Sequence, residues 1–203
     1  MNNFIYENST KVYFGQGCVK EFLSSLTRDS RNILLACGER SAKRYGVYDE
    51  VLNILMADGK NVVDFSGIMP NPTYGKVLEG IQLVKSHDID LILGIGGGSV
   101  MDCAKAVSLG ARCNGDPWEN FWERKGIVDF SPIPVGVIPT TAGTGSECNG
   151  AAVITNEKTK VKTGYDYAKC NPVFALMDPV YTYSVPEKQM VSGAFDSLSH
   201  IME

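Results

Sequence analysis

The stretch Leu91-Ile92-Leu93-Gly94-Ile95-Gly96-Gly97-Gly98-Ser99-Val100-Met101-Asp102 decides the fold. Leu91 to Ile95 is a short apolar run of the kind buried on both faces of a parallel sheet. Consecutive glycines lead it straight into a helix expected from Val100 to about Leu109. Such a junction aims free backbone N–H groups and the positive end of the helix dipole at one point, which suits a phosphate. Glycine also allows close approach of a ligand and backbone angles barred to other residues. Ser99 and Asp102 have the S-x-x-D spacing of a capped helix start. The plainer reading is a tight turn, although glycine repeats are an entropically costly way to build one. The loop lacks the final spacing of the dinucleotide fingerprint and follows the third strand of the pattern instead of the first.

The pattern repeats on either side. Ile33 to Cys37 is an apolar run ending at Gly38, with a helix expected over Val47 to Ala57. Asn61 to Phe65 reads as the next strand, Pro70-Asn71-Pro72 breaks the chain, and Val77, Ile81 and Val84 share one face of a second helix. Ile133 to Ile138 reads as a fourth strand. Short apolar strands alternating with amphipathic helices imply an α/β fold, a parallel sheet covered on both faces. Residues 3–14 suggest a short N-terminal hairpin broken near Asn8-Ser9.

A second small-residue loop, Pro139-Thr140-Thr141-Ala142-Gly143-Thr144-Gly145-Ser146-Glu147, also follows a strand. Alone it reads equally as a linker. Two such loops at strand C-termini mark the crevice where open α/β sheets bind ligands.

Near the C-terminal end, Ser184 and Glu187 have capping-box spacing with Pro186 in the opening turn, predicting a helix on which Asp196 and His200 lie one turn apart. Oxygen and nitrogen donors so placed suit iron, zinc or manganese. An isolated D-x-x-x-H is more often a surface pair, and the only other histidine is His87. The proline-flanked segment 178–186 is the expected domain boundary.

A length of 203 residues is long for one domain and short for two, and 44% hydrophobic with 21% charged residues is ordinary for a globular chain. A net charge of −4 without a Lys/Arg cluster argues against nucleic acid or a membrane surface as partner. No signal peptide is readable and no apolar run approaches spanning length, so the expected location is the cytoplasm. The six cysteines show no C-x-x-C spacing and read as reduced packing thiols. His87 is expected at a helix C-terminus. Trp118 and Trp122 are expected to anchor a loop or an oligomer contact.

Taken together these segments resemble the iron-dependent alcohol dehydrogenase family, in its butanol dehydrogenase and aldehyde reductase branch. The matching residues are Gly96-Gly97-Gly98-Ser99 with Asp102 and Lys105, the loop from Pro139 to Glu147, Pro172 through Pro179, Tyr181-Thr182-Tyr183, and Asp196 with His200. Met69 to Pro72 and Gly46 to Asp49 match as well. The resemblance runs the whole length. It implies a Rossmann-like, dehydroquinate synthase-like nucleotide-binding α/β domain over residues 1–183, with 184–203 opening an all-helical metal-binding domain that is mostly absent.

By resemblance, Gly97, Gly98 and Ser99 hold the cofactor pyrophosphate, and Gly96 and Asp102 belong to the same cofactor site. Thr140, Thr141 and Thr144 line the same cofactor, Lys162 contacts its ribose, and Asn71 and Asn149 lie nearby. Gly38, Glu39 and Ser41 face the adenosine ribose. Glu39 there favours NAD(H) over NADP(H), because a carboxylate accepts from both ribose hydroxyls and repels a 2′-phosphate; Arg40 is a countervailing charge. Asp196 and His200 match the first two of four metal ligands, with Fe2+ expected ahead of Zn2+. The implied activity is hydride transfer between NAD(P)(H) and a primary alcohol or aldehyde, by a homodimer or with a separate C-terminal domain or chain, this chain being inactive alone. Two readings stand beside it: a nucleotide-binding or interaction module without redox chemistry, and a glycerol dehydrogenase-like enzyme, against which the loop from Pro139 to Glu147 and the segment Asp178 to Tyr183 weigh.

Overall fold

The structure is a computed structural model that describes residues 3, 5 and 7–202. In chain order the elements are β1 (Lys11–Phe14), α1 (Cys18–Leu26), β2 (Asn32–Gly38), α2 (Ser41–Arg44), α3 (Val47–Ala57), β3 (Asn61–Ile68), α4 (Tyr74–Ser86), β4 (Leu91–Gly96) and α5 (Gly98–Arg112). A π-helical turn over Trp118–Glu123 precedes β5 (Val135–Pro139), β6 (Ala151–Asn156), β7 (Val161–Asp166), β8 (Phe174–Met177) and α6 (Glu187–Met202).

Six strands form one all-parallel sheet in the order β1-β8-β5-β4-β2-β3, and β6 pairs antiparallel with β7 in a separate ribbon. β2 has β3 on one side and β4 on the other, so the order reverses between β2 and β4, and a crevice opens beyond their C-terminal ends. The central strands β4 and β5 are buried throughout. One core face packs α4 and α5 through Val77, Ile81, Met101 and Val107. The other packs α1 and α3 through Val19, Leu23, Val51 and Leu55. Burial on both faces explains why these strands are continuous apolar runs.

The N-terminal hairpin is not what the described residues form. Residues 4 and 6 lie outside them, and Lys11–Phe14 is one edge strand paired in parallel with β8, whose partner residues begin at Phe174. Asp178 fixes this arrangement: one carboxylate oxygen accepts from Gly17 N at 2.7 Å while the other caps the turn at Val180 N. The Ser99–Asp102 capping box does not form either. The helix begins at Gly98 with Gly97 as N-cap and no side-chain cap, because the Asp102 carboxylate is taken by Ser146 and Val153.

His87 is the C-cap residue of α4. Trp118 and Trp122 are buried and stacked, with centroids 5.7 Å apart and planes within 4°. All six cysteines are free, and burial raises the thiol pKa of Cys18, Cys37, Cys103, Cys148 and Cys170, so these stay protonated packing groups at neutral pH.

Candidate nucleotide cleft

At the switch point the two small-residue loops are built into each other. Thr140 N donates to Gly96 O at 3.0 Å, extending the β4–β5 ladder past the strand ends. A Cβ on Gly97 would stand 2.9 Å from Thr141 Oγ1, and one on Gly98 would stand 3.0–3.2 Å from three atoms of Thr144. The glycines are therefore small because the threonine loop lies against them. Gly38, ending β2, faces the first turn of α5, its absent Cβ 3.9 Å from Val100 Cγ2.

Beside this junction lies a cleft of about 540 Å³ lined by Asn71, Gly98, Ser99, Asp102, Thr144, Ser146, Asn149, Lys162 and Asp196, with parts of β6. A second cleft of about 580 Å³ continues from it, sharing Thr144 and Asp196 and reaching Thr141 and the first half of α6. Each falls in the range of small-molecule sites. The floor is the N-terminus of α5, whose first-turn N–H groups have no intrahelical acceptor and favour an anion. Opposite, Lys162 on the β6–β7 ribbon donates to Asn71 Oδ1 at 2.6 Å, and Asn71 N donates to Ser99 Oγ at 3.3 Å. Asn71 takes a positive φ of 55°, which suits asparagine, and this bends the Pro70–Pro72 segment over the cleft.

Eight of the sixteen residues singled out from the sequence thus line one cavity, and Gly96, Gly97, Thr140 and Thr141 build its junction. Glu39 and Ser41 are exposed beyond the end of β2 and do not line these clefts. Sequence reading missed Ser146 and the ribbon residues Ala151 and Val153, which also line the cleft. The signal for Ser146 was Lys105, a lysine in an otherwise apolar stretch of α5. It is fully buried and donates to both oxygens of Ser146. Burial pulls the Lys105 pKa below the usual lysine value, opposed by Asp102, whose Oδ1 lies 3.6 Å away.

Asp196 and His200 are neighbours on α6, with Asp196 Oδ1 and His200 Nε2 3.8 Å apart and both side chains about half exposed. Their donor types fit iron or zinc, but no group of three or more candidate ligands exists among the described residues. Two donors on a half-exposed helix face hold a metal ion weakly, since solvent fills the remaining coordination positions. We expect the chain, dialysed after iron or zinc loading, to retain well below one equivalent by elemental analysis; stoichiometric retention abolished in Asp196→Ala would overturn this.

An open parallel sheet with glycine and threonine loops meeting at its switch point defines a nucleotide-binding α/β domain. Comparison with known families is specific: residues 9–179 match the model for iron-containing alcohol dehydrogenases. The chain belongs to that family. It is 42% identical over 203 residues to the probable NADH-dependent butanol dehydrogenase 2 of Bacillus subtilis, covering all of this chain and 52% of that protein. It is 38% identical over 205 residues to the NADPH-dependent aldehyde reductase YqhD of Escherichia coli, with the same coverage. The crystal structure of NADH-dependent butanol dehydrogenase A from Thermotoga maritima superposes with a TM-score of 0.93 at 39% identity, covering all of this chain and 51% of that one. The chain spans about half the length of the relatives it matches. No helix among the described residues is long and apolar enough to cross a membrane.

Proposed function

We propose that this chain is the cofactor-holding part of a metal-dependent alcohol dehydrogenase or aldehyde reductase, binding NAD(P)(H) for hydride exchange with a primary alcohol or aldehyde. The observation that carries the proposal is the interlocked pair of loops, Gly96–Ser99 against Thr140–Thr144, at the mouth of a cleft of nucleotide size. The α5 N-terminus and Ser99 take the pyrophosphate, Thr140, Thr141 and Thr144 the facing edge of the nucleotide, and Lys162, held by Asn71, the ribose. Asp102 serves chiefly to hold Ser146 and the ribbon beside the ligand. When bound, a divalent metal would polarise the substrate oxygen as a Lewis acid; Asp196 and His200 supply two of its donors, and no step is assigned to them alone. In this proposal residues 1–183 form the nucleotide domain, and 184–203 open a helical domain that completes the metal site. The exposed Met190, Phe195, Leu198 and Ile201 of α6 support such a covering segment, and the open edge strand with exposed Val12 and Phe14 supports a homodimer.

The test is direct. The purified chain should bind NADH or NADPH yet show no aldehyde-dependent oxidation of either. That Asp196 and His200 have no third candidate ligand beside them among the described residues also favours a second reading, a nucleotide-binding module without redox chemistry. Adding the C-terminal half of a relative distinguishes the two, since only the first reading expects turnover to appear.

For the cofactor, Glu39 favours NADH. A carboxylate about 4 Å from a 2′-phosphate in water costs roughly 1 kcal/mol per unit charge. With about 1.5 to 2 charges on the phosphate at neutral pH, the expected preference is therefore roughly tenfold to thirtyfold for NADH, shrinking in Glu39→Gly. Tighter NADPH binding, or a preference untouched by Glu39→Gly, would refute the role of this residue.

A further inference from the structure

Lys105 lies outside the clefts, so nothing assigned so far uses its charge. Its side chain has no solvent exposure, and a buried ammonium is costly unless its hydrogen bonds are all made. Here they are made to one segment. Nζ donates to Ser146 O at 2.9 Å, Ser146 Oγ at 2.8 Å, Asn149 O at 3.2 Å and Asn149 Oδ1 at 3.1 Å. Asp102, one turn earlier on the same helix, closes the ring by accepting from Ser146 Oγ at 2.6 Å and from Val153 N at 3.0 Å.

This ring determines which way one amide points. An ammonium has donors only, so the Asn149 atom facing it must be the carbonyl oxygen. Ala151 N donates to that same oxygen at 3.1 Å, which fixes the choice a second time. Nδ2 is left as a donor without a protein acceptor among the described residues, on a side chain that lines both the nucleotide cleft and the neighbouring pocket with His200. The helix that presents the glycine loop thereby also sets the orientation of a donor on the opposite wall.

We infer that Lys105 is a positioning residue: through its bonds to Ser146 and Asn149 it holds segment 144–151 in register with the glycine loop and turns the Asn149 Nδ2 donor toward an acceptor group of the bound nucleotide. The inference rests on the nucleotide reading of the cleft. A lysine that merely fills space in the core would leave the amide orientation and the local order of 144–151 untouched.

The experiment combines hydrogen–deuterium exchange with NADH and NADPH titration on the chain, on Lys105→Met and on Asn149→Asp. In Asn149→Asp the lysine keeps an oxygen partner while the donor disappears. The expected result is retained thermal stability and retained protection of 144–151, with nucleotide affinity about tenfold weaker, the loss of one hydrogen bond to the ligand. In Lys105→Met, amides of 144–151 should exchange at least about tenfold faster while those of α5 stay protected, with a comparable loss of affinity. Should Lys105→Met fail to fold, Asn149→Asp decides: wild-type affinity in that variant overturns the inference. Unchanged protection of 144–151 in folded Lys105→Met overturns it as well. If the unmodified chain binds neither nucleotide, the nucleotide reading fails by itself, and the exchange data still decide whether Lys105 orders the segment.

Discussion

A Gly98→Val chain is expected to keep its sheet and to lose NADH and NADPH binding by about a hundredfold or more. The sheet survives because Gly98 sits outside every strand, at the first position of α5. Binding fails because the cleft is assembled from two loops in contact. A Cβ at this position would already stand 3.0 Å from Thr144 Cγ2 and 3.2 Å from its Cβ and Oγ1, and the two methyls of valine reach further. Thr144 must give way, and it lines both clefts. The added side chain then occupies the floor where an anion would meet the α5 N-terminus. Overpacking of this kind costs typically about 1–3 kcal/mol of stability, which a domain of this size tolerates. Circular dichroism with equilibrium titration checks both halves; a folded Gly98→Val chain of normal affinity would refute the placement of the nucleotide.

The largest loss of stability is expected from Trp122→Ala, about 3–5 kcal/mol. Trp122 is 1% exposed, stacks on Trp118, meets the Tyr165 ring edge-on at 4.7 Å and donates from Nε1 to Ala152 O at 3.2 Å. Its removal empties a large volume and takes one hydrogen bond from a ribbon carbonyl at once. The consequence extends to the cleft, because Ala152 and Tyr165 belong to the β6–β7 ribbon that carries Val153 and Lys162. Nucleotide affinity should therefore fall in the variant even below its melting temperature. Chemical denaturation showing a loss under about 1 kcal/mol would mean that the ribbon is not held by this tryptophan.

What was legible in the sequence follows from the range of the interactions. The strands at Ile33 and Leu91 and the helix over Val47–Ala57 were readable because a central parallel strand is apolar on both faces and a covering helix on one, while the edge strand at Asn61 was readable from its β-branched and aromatic run Val62-Val63 and Phe65. The edge pairing of β1 with β8 was not, since no local pattern records that Lys11 will meet Phe174. Strand β6 carries an alternation of buried and exposed positions, but the turn to β7 depends on Lys160 at a positive φ of 60°, where no glycine stands, and its one local mark is Asn156, whose Oδ1 accepts from Lys158 N and Thr159 N. Ser99-x-x-Asp102 misled for a related reason. The local spacing suited a cap, whereas the carboxylate had distant partners in Ser146 and Val153 that outcompeted it. The site shows the same division. Individual loops announced themselves through composition, while their contact, and the buried Lys105 that holds one of them, exist only once the sheet has formed.

The measurement that bears most directly on the central claim is a fluorescence titration of the purified chain with NADH, repeated with NADPH. A nucleotide cleft at the β2–β4 switch point requires a saturable, stoichiometric change of nicotinamide fluorescence with at least one of the two, lost in Gly98→Val. A folded chain that gives no saturable signal with either nucleotide would contradict the assignment.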